Sequence, residues 1–276
     1  MTRATLAQVL HPALRDGYAV AGFVCLGWED ARAFALAAEA EGKPVILQAG
    51  PGARTHMPLP VWGAMFRSLA DAVSVPVVLH LDHGRSLDEA RAAIDEGFTS
   101  VMFDGSALPL GENIRQTAEI AALARAHGVS CEGEIGVVGY SGRAPSALTD
   151  PKEAARFAVE TGVDALAIAV GNVHLQTDHA TLIDEVALHA IADATGHRVP
   201  LVIHGGSGIP PAIRARLART TPIAKFNIGT ELRQTFGTSL RQTLRDQPGE
   251  FDRLKILAAT EAPLIDHASA ILRSLG

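Results

Sequence analysis

The chain has 276 residues, a length that one α/β barrel domain accommodates, and no linker separates its halves. A hydrophobic share of 47% with 20% charged residues is ample for a large core, and a net charge of −6 without a basic run argues against a nucleic-acid partner. The chain lacks a run of about eighteen apolar residues and a secretory-type apolar leader. Its two cysteines, Cys25 and Cys131, are too few for a disulfide framework, so a cytoplasmic protein with no membrane partner is expected.

Short apolar runs alternate with longer amphipathic segments along the chain. The first run, 18–24, is followed by a helical pattern over 29–41 that stops at Gly42, and the second, 44–48, precedes 60–71. The third, 76–81, leads into 86–96, with Ser86 placed as a cap before Leu87, Asp88 and Glu89, and Gly97 at its end. The fourth, 100–103, precedes 111–127 and Gly128. The fifth, 129–134, precedes 151–161, which opens on Asp150 and Pro151 and closes at Gly162. The sixth, 165–170, precedes 182–195 and Gly196; the seventh, 200–203, precedes 210–219; the eighth is 223–228. From Glu231 onward the pattern is that of terminal helices.

Runs of this length, aliphatic on both faces, are the mark of parallel strands covered on both sides. Eight strand–helix repeats predict an α/β fold, a single (β/α)8 TIM barrel over 1–276 with extra C-terminal helices. An open doubly wound sheet would carry a Gly-rich nucleotide turn after its first strand, where this chain has Cys25-Leu26-Gly27-Trp28.

In such a barrel the active site lies at the C-terminal ends of the strands. There the third run gives Asp82-His83-Gly84, the fourth Asp104-Gly105-Ser106, the fifth Glu132-Gly133-Glu134 and the sixth Gly171-Asn172-Val173-His174. The seventh runs into His204-Gly205-Gly206-Ser207-Gly208, and the eighth ends at Asn227-Ile228-Gly229-Thr230. Six consecutive strands thus deliver polar groups to one rim, which an apolar interior tolerates only if each group has a partner or a purpose. His83, His174 and His204 with nearby carboxylates form a plausible open zinc site, leaving coordination positions for water or substrate. A lone strand-end histidine is more often a hydrogen-bonded surface or core residue; three on one rim shift that balance. His80 and His189 read as structural, and His11, His56, His127, His179, His197 and His267 have no converging partner in the sequence. The two glycine-rich turns after the seventh and eighth runs, with the hydroxyls of Ser207 and Thr230, lie where this fold holds phosphate, although ordinary βα turns also use glycine.

The segments His-Leu-Asp-His-Gly (80–84), Glu-Gly-Glu-Ile-Gly (132–136), Gly-Asn-Val-His (171–174), His-Gly-Gly-Ser-Gly (204–208) and Lys-Phe-Asn-Ile-Gly-Thr (225–230) resemble the class II, metal-dependent fructose-bisphosphate and tagatose-bisphosphate aldolases. The resemblance runs from about Ala21 to Leu232 in consistent order. It implies that His83, His174 and His204 bind a catalytic Zn2+ and that Asp82 exchanges the substrate proton. It also implies that Asp104 and Glu134 can hold a second or displaced cation, divalent or monovalent. Gly205, Gly206 and Ser207, with Asn227, Ile228, Gly229 and Thr230, then hold the phosphate and hydroxyls of a dihydroxyacetone-phosphate-like donor. A homodimer or homotetramer acting on a small sugar phosphate follows from the same resemblance. The chemistry agrees, because cleavage beside a carbonyl leaves a carbanion that a Lewis acid stabilises as an enediolate without a Schiff-base lysine.

The chain departs from relatives at the acceptor side. The loop Gly139-Tyr140-Ser141-Gly142-Arg143-Ala144 lacks the acidic segment usual there, with Tyr140 a substitute at most by position. Leu175 stands where a glycine commonly follows the second histidine, Val24 replaces an asparagine, and Gly50 replaces a serine. These differences predict a ketose phosphate other than fructose 1,6-bisphosphate. Two rival readings remain at this point: a metal-dependent sugar-phosphate isomerase or epimerase on the same barrel, and a non-catalytic paralogue serving as a partner subunit.

Overall fold

The structure, a computed structural model, describes residues 2–140, 147–177 and 181–276. The strands are β1 (Val20–Val24), β2 (Val45–Ala49), β3 (Val77–Gly84), β4 (Ser100–Phe103), β5 (Ser130–Ile135), β6 (Gly139–Tyr140), β7 (Ala165–Ile168), β8 (Val173–His174), β9 (Leu201–Ile203) and β10 (Ile223–Ile228). Eight of them close a parallel barrel in the order β1-β10-β9-β7-β5-β4-β3-β2, while β6 and β8 pair separately. Each expected apolar run overlaps one barrel strand, so the predicted (β/α)8 barrel is the fold. The helices between them include Trp28–Glu41, Leu59–Asp71, Leu87–Asp95, Leu110–Ala126, Pro151–Thr161, Glu185–Ala194 and Pro211–Thr220. The chain ends in Thr230–Asp246, Arg253–Ala258 and Glu261–Ser274.

The largest boundary differences have local causes. Strand β3 continues through Asp82 and His83 to Gly84, although the apolar run stops at Leu81. The helix expected from residue 182 starts at Glu185, because Asp184 caps it by accepting from the Ala187 N–H at 2.9 Å.

Two further helices lie outside the expected pattern. The first, Leu6–Asp16, opens with a reciprocal capping box: Gln8 N–H donates to Thr5 Oγ1 at 3.3 Å, and Thr5 N–H to Gln8 Oε1 at 2.8 Å. Its buried residues Leu6, Val9, Leu10 and Ala13 follow helical spacing and plug the N-terminal end of the barrel against Val20, Ile46, Val78 and Val202. Each buried leucine there contributes roughly 1.5–3 kcal/mol. The second, Pro51–His56, follows β2 directly and lays Arg54 across the C-terminal rim.

Above the apolar plug the barrel interior becomes polar. Alternation along β3, β5 and β10 stacks His80 below Asp82, Glu132 below Glu134, and Lys225 below Asn227, all buried. Ala224 also faces inward, into the apolar plug, and the β10–β9 register shifts between Ile223 and Lys225. Such a shift lets two consecutive residues face the same side.

Candidate metal centre and active site

His83 leaves β3, His174 sits on the two-residue β8, and His204 follows β9 directly. The ring centroids of His83 lie 4.7 Å from His204 and 5.3 Å from His174, and those of His174 and His204 are 5.7 Å apart. One nitrogen from each ring falls within 4.8 Å of the other two, close enough for one cation to gather all three with small ring shifts. A second group, His83, Asp104 and Glu134, meets the same limit. Buried His204 Nδ1 and Glu134 Oε2, 3.8 Å apart, have no hydrogen-bond partner among the described residues. An imidazole nitrogen and a carboxylate oxygen, both buried without a partner in the chain, fit a divalent cation, which would supply the missing partner.

One nitrogen each of His83 and His204 is anchored by carboxylates. His83 Nδ1 lies 3.1 Å from Asp104 Oδ2 and 3.5 Å from Glu134 Oε2. His204 Nε2 lies 3.2 Å from Glu132 Oε1, and Lys225 Nζ donates to Glu132 Oε2 at 2.6 Å. Asn172 Nδ2 donates to the His204 carbonyl at 2.9 Å and so fixes the start of the loop after β9.

Charge at the rim is divided unequally. Burial alone opposes a proton on His83, but Asp82, Asp104 and Glu134 outweigh it and raise its pKa to about 10. Burial pushes Glu134 up to about 8, reinforced by Asp104, Glu132 and Asp82 and partly offset by His83. For Asp104 burial acts upward, yet the hydrogen bond and charge of His83 together with Ser106 hold the carboxyl well below its usual range. Burial and the neighbouring rings of His204 and His83 press His174 down to about 3, and burial with the charge of His83 holds His204 well below the usual imidazole range. Two neutral imidazoles beside one that carries a proton for three acids match a site from which an arriving cation would displace that proton.

Asp82 is buried at the cavity floor, where Asn227 Nδ2 donates to its Oδ1 at 3.3 Å. Gly50 keeps the other oxygen open: a Cβ there would stand 3.2 Å from Asp82 Oδ2. The β3 terminus is braced by Arg54. Its Nη1 donates to the Asp82 carbonyl at 2.6 Å and to the Ala49 carbonyl, its Nη2 donates to the His83 carbonyl at 3.2 Å, and its Nε donates to Glu89 Oε1 at 2.9 Å. The brace holds His83 at φ 51°, a left-handed conformation that costs a non-glycine residue roughly 1–2 kcal/mol.

A cavity of about 400 Å³ opens over Asp82, His83 and His174. Gly205, Ser207, Asn227, Gly229 and Thr230 line it, whereas Gly206 and Ile228 do not. Gly206 instead accepts from buried Arg214 Nη1 through its carbonyl at 3.1 Å, and the Ile228 side chain belongs to the outer core. Gly205 adopts φ 68°, and a Cβ there would overlap the Val173 carbonyl, so the turn admits only glycine comfortably. Ser207 Oγ accepts from the N–H groups of Gly229 (3.2 Å) and Glu231 (3.3 Å), tying the loop after β9 to the N-terminus of helix Thr230–Asp246. Val24 and Gly229 close against each other, since a Cβ on Gly229 would lie 3.1 Å from Val24 Cβ. Leu175 takes φ 57° at the cavity edge, so leucine occupies the left-handed position that glycine would fill without strain.

Residues 141–146 lie outside the described residues, and with them most of the loop read as lacking an acid; His179 also lies outside. Three residues around the site carry no assigned role in the sequence reading, Arg54, Glu132 and Lys225, although the last two lie within its motifs; His80, read as structural, lies 3.3 Å from Lys225 Nζ. The available signal was period-two spacing from Asp82, Glu134 and Asn227, which predicts that His80, Glu132 and Lys225 share their interior face. Arg54 left no comparable signal. His267, expected to lack a partner, lies 3.3 Å from Glu231 Oε2 and 2.6 Å from Thr235 Oγ1.

A closed barrel carrying converging imidazoles, a buried carboxylate and a glycine-rich loop pair at its C-terminal rim is built as an enzyme for small polar substrates. Its relatives narrow the class. The family described as "Fructose-bisphosphate aldolase class-II" matches residues 4–276. The chain is 37% identical over 272 residues to the fructose-bisphosphate aldolase of Geobacillus stearothermophilus, covering 93% of this chain and 91% of that one. It is 40% identical over 253 residues to the 6-phospho-5-dehydro-2-deoxy-D-gluconate aldolase of Shouchella clausii, covering 90% and 85%. The crystal structure of the YdjI aldolase from Escherichia coli K12 superposes with a TM-score of 0.85 at 30% identity, covering 99% of this chain and 97% of that chain. The chain belongs to the class-II fructose-bisphosphate aldolase family and is an aldehyde-lyase of that class. That places the aldolase reading above the isomerase and idle-subunit readings. Among the described residues no helix is long and apolar enough to cross a membrane.

Proposed function

We propose that the protein catalyses the reversible retro-aldol cleavage of a ketose phosphate, with His83, His174 and His204 as ligands of a catalytic zinc ion and Asp82 as general base and acid. The observation that carries this is the meeting of three imidazole nitrogens within 4.8 Å, one of them buried and bare, beside a carboxylate that faces the cavity. Zinc, when bound, supplies Lewis-acid polarisation of the donor carbonyl and its neighbouring hydroxyl. Asp104 and Glu134 stand ready for a second cation next to His83.

Asp82 takes the proton of the C4 hydroxyl as the C3–C4 bond breaks. The C4 oxygen becomes the carbonyl of the departing aldehyde, and the bonding pair remains on the donor, delocalised toward its C2 carbonyl. In the condensation direction Asp82 returns the proton. Asn227 orients Asp82 through its Oδ1 and leaves Oδ2 facing the space beside Gly50. Gly205, Ser207, Gly229 and Thr230, beside a helix N-terminus, hold the donor phosphate. The acceptor half is the unusual part. Val24 packed on Gly229 and the bare Gly50 beside Asp82 take away two polar side chains that relatives commonly carry, which supports a substrate other than fructose 1,6-bisphosphate, such as a ketose 1-phosphate or another modified sugar phosphate. A cytoplasmic homodimer or homotetramer completes the reading.

Metal analysis combined with a retro-aldol screen over ketose phosphates tests this. The protein should contain zinc, lose activity with a chelator and regain it on metal return. Asp82→Ala should keep the metal yet lose about 10²–10⁴-fold in kcat. Full activity after chelation, or an Asp82→Ala variant within about tenfold of the parent, refutes the assignment. The highest kcat/KM on fructose 1,6-bisphosphate refutes the substrate part alone.

A further inference from the structure

Beneath the three histidines lies a fully buried chain of polar groups that the aldol reaction itself does not use: Ser100, His80, Lys225 and Glu132. Its hydrogen bonds can run in only one direction. An ammonium donates and never accepts, so His80 Nε2, 3.3 Å from Lys225 Nζ, must accept, and the His80 proton sits on Nδ1, donated to Ser100 Oγ at 2.8 Å. A second Lys225 proton goes to Glu132 Oε2 at 2.6 Å. The ammonium compensates the carboxylate inside the barrel, which leaves Glu132 Oε1 an acceptor facing His204 Nε2 at 3.2 Å. His204 then carries its proton on Nε2, which leaves its bare Nδ1, 3.8 Å from Glu134 Oε2, as the nitrogen free to join His83 and His174 in binding a cation.

We infer that Lys225 is a positioning residue for the metal: through Glu132 it fixes His204 in the tautomer whose Nδ1 lone pair faces the ion. Without the ammonium nothing holds Glu132 Oε2, the carboxylate is free to turn Oε1 away from Nε2, and the imidazole loses the acceptor that selects its tautomer. The lysine thus acts on catalysis without touching substrate, and it needs no Schiff base. The inference rests on His204 being a metal ligand, so its test begins with metal binding by the unaltered protein.

The test uses the metal-free full chain with Co2+ and Zn2+ as probes. Affinity is read by chelator competition and by the visible spectrum of bound Co2+, and the His204 tautomer by 15N NMR in the absence of metal. Lys225→Met should fold and bind metal about 10- to 100-fold more weakly, with a changed Co2+ spectrum, as removal of an outer partner of a ligand histidine does. In a Glu132→Gln background the ammonium draws the amide oxygen to itself and turns the NH2 group onto Nε2, so that single variant should also lose affinity. Adding Lys225→Met there frees the amide oxygen to accept from Nε2–H, with the NH2 group facing His80 Nε2, which lies 3.7 Å from the present Oε2, and should recover affinity to within about threefold of the unaltered protein, the non-additivity expected of residues acting through one another. A role in packing alone predicts equal losses of thermal stability in both backgrounds with metal affinity unmoved, and that result overturns the inference. So does an Nδ1-protonated His204 in the unaltered protein, a measurement that needs no variant to fold. If the unaltered protein binds neither metal, the failure lies with the metal site itself and not with Lys225.

Discussion

Replacing Arg54 isolates the brace that holds the C-terminal end of β3. Arg54 is 8% exposed, and its guanidinium serves three carbonyls, those of Ala49, Asp82 and His83, and the Glu89 carboxylate, with Nη2 2.7 Å from Glu89 Oε1. Arg54→Ala leaves Glu89, itself 31% exposed, without its counter-ion and strips donors from three carbonyls. Breaking one side of a buried, hydrogen-bonded ion pair costs about 3–5 kcal/mol, and partial rehydration at this rim puts the expectation near the lower end, about 3 kcal/mol. Arg54→Lys keeps the charge but offers no planar fork, so about half of that loss should remain. Freed from the brace, His83 can relax from φ 51° and recover roughly 1–2 kcal/mol of strain by turning its ring away from His204. Metal affinity should then fall by about tenfold, since each 1.4 kcal/mol spent on restoring the bound geometry is a factor of ten. Denaturant unfolding of the metal-free protein measures the first quantity, and chelator competition the second. An alanine variant destabilised by less than about 1 kcal/mol, with its metal affinity intact, would refute the brace.

Other substitutions probe the remaining supports. Leu175→Gly should leave the fold at least as stable and gain up to about 1 kcal/mol in the native state, because glycine adopts φ 57° freely; a clear fall in the denaturation midpoint argues against strain there. Gly205→Ala should lose most activity and about 2–3 kcal/mol or more of stability, through both φ 68° and overlap with the Val173 carbonyl, and an unaltered enzyme contradicts this. Glu231 is held by Arg214 Nη1 at 2.5 Å and by His267; burial raises its pKa, but these partners outweigh burial and keep it below the ordinary 4.5. A depressed carboxylate gives stability that is complete above its unfolded pKa and fades as pH falls toward the folded one. The stability gap between the parent and Glu231→Gln should therefore be full at neutral pH and shrink below about pH 4.5; a gap independent of pH refutes the pairing.

The sequence by itself determined the barrel and most of the rim. Eight aliphatic runs separated by capped amphipathic segments leave little choice of architecture, because strands apolar on both faces must be covered on both. Asp82, His83, Asp104, Glu134, His204 and Asn227 were legible because strand ends converge in any such barrel, so a polar residue there announces itself by position alone. The plug helix Leu6–Asp16 was legible in principle through Thr5 and Gln8, yet only the closed barrel shows which end it seals. What tertiary structure alone decided is direction and pairing across distant strands. Lys225 and Glu132 are 93 positions apart, and His80 and Lys225 are 145 apart. Period-two alternation can say that these side chains face inward, but not at what height around the barrel they meet, because that depends on strand stagger and on the register shift at Ile223–Lys225. The same holds for Arg54, whose reach to the β3 end follows from a six-residue helix laid across the rim. Which nitrogen of His204 is left bare beside Glu134 is decided by these long-range partners, and no local pattern encodes it.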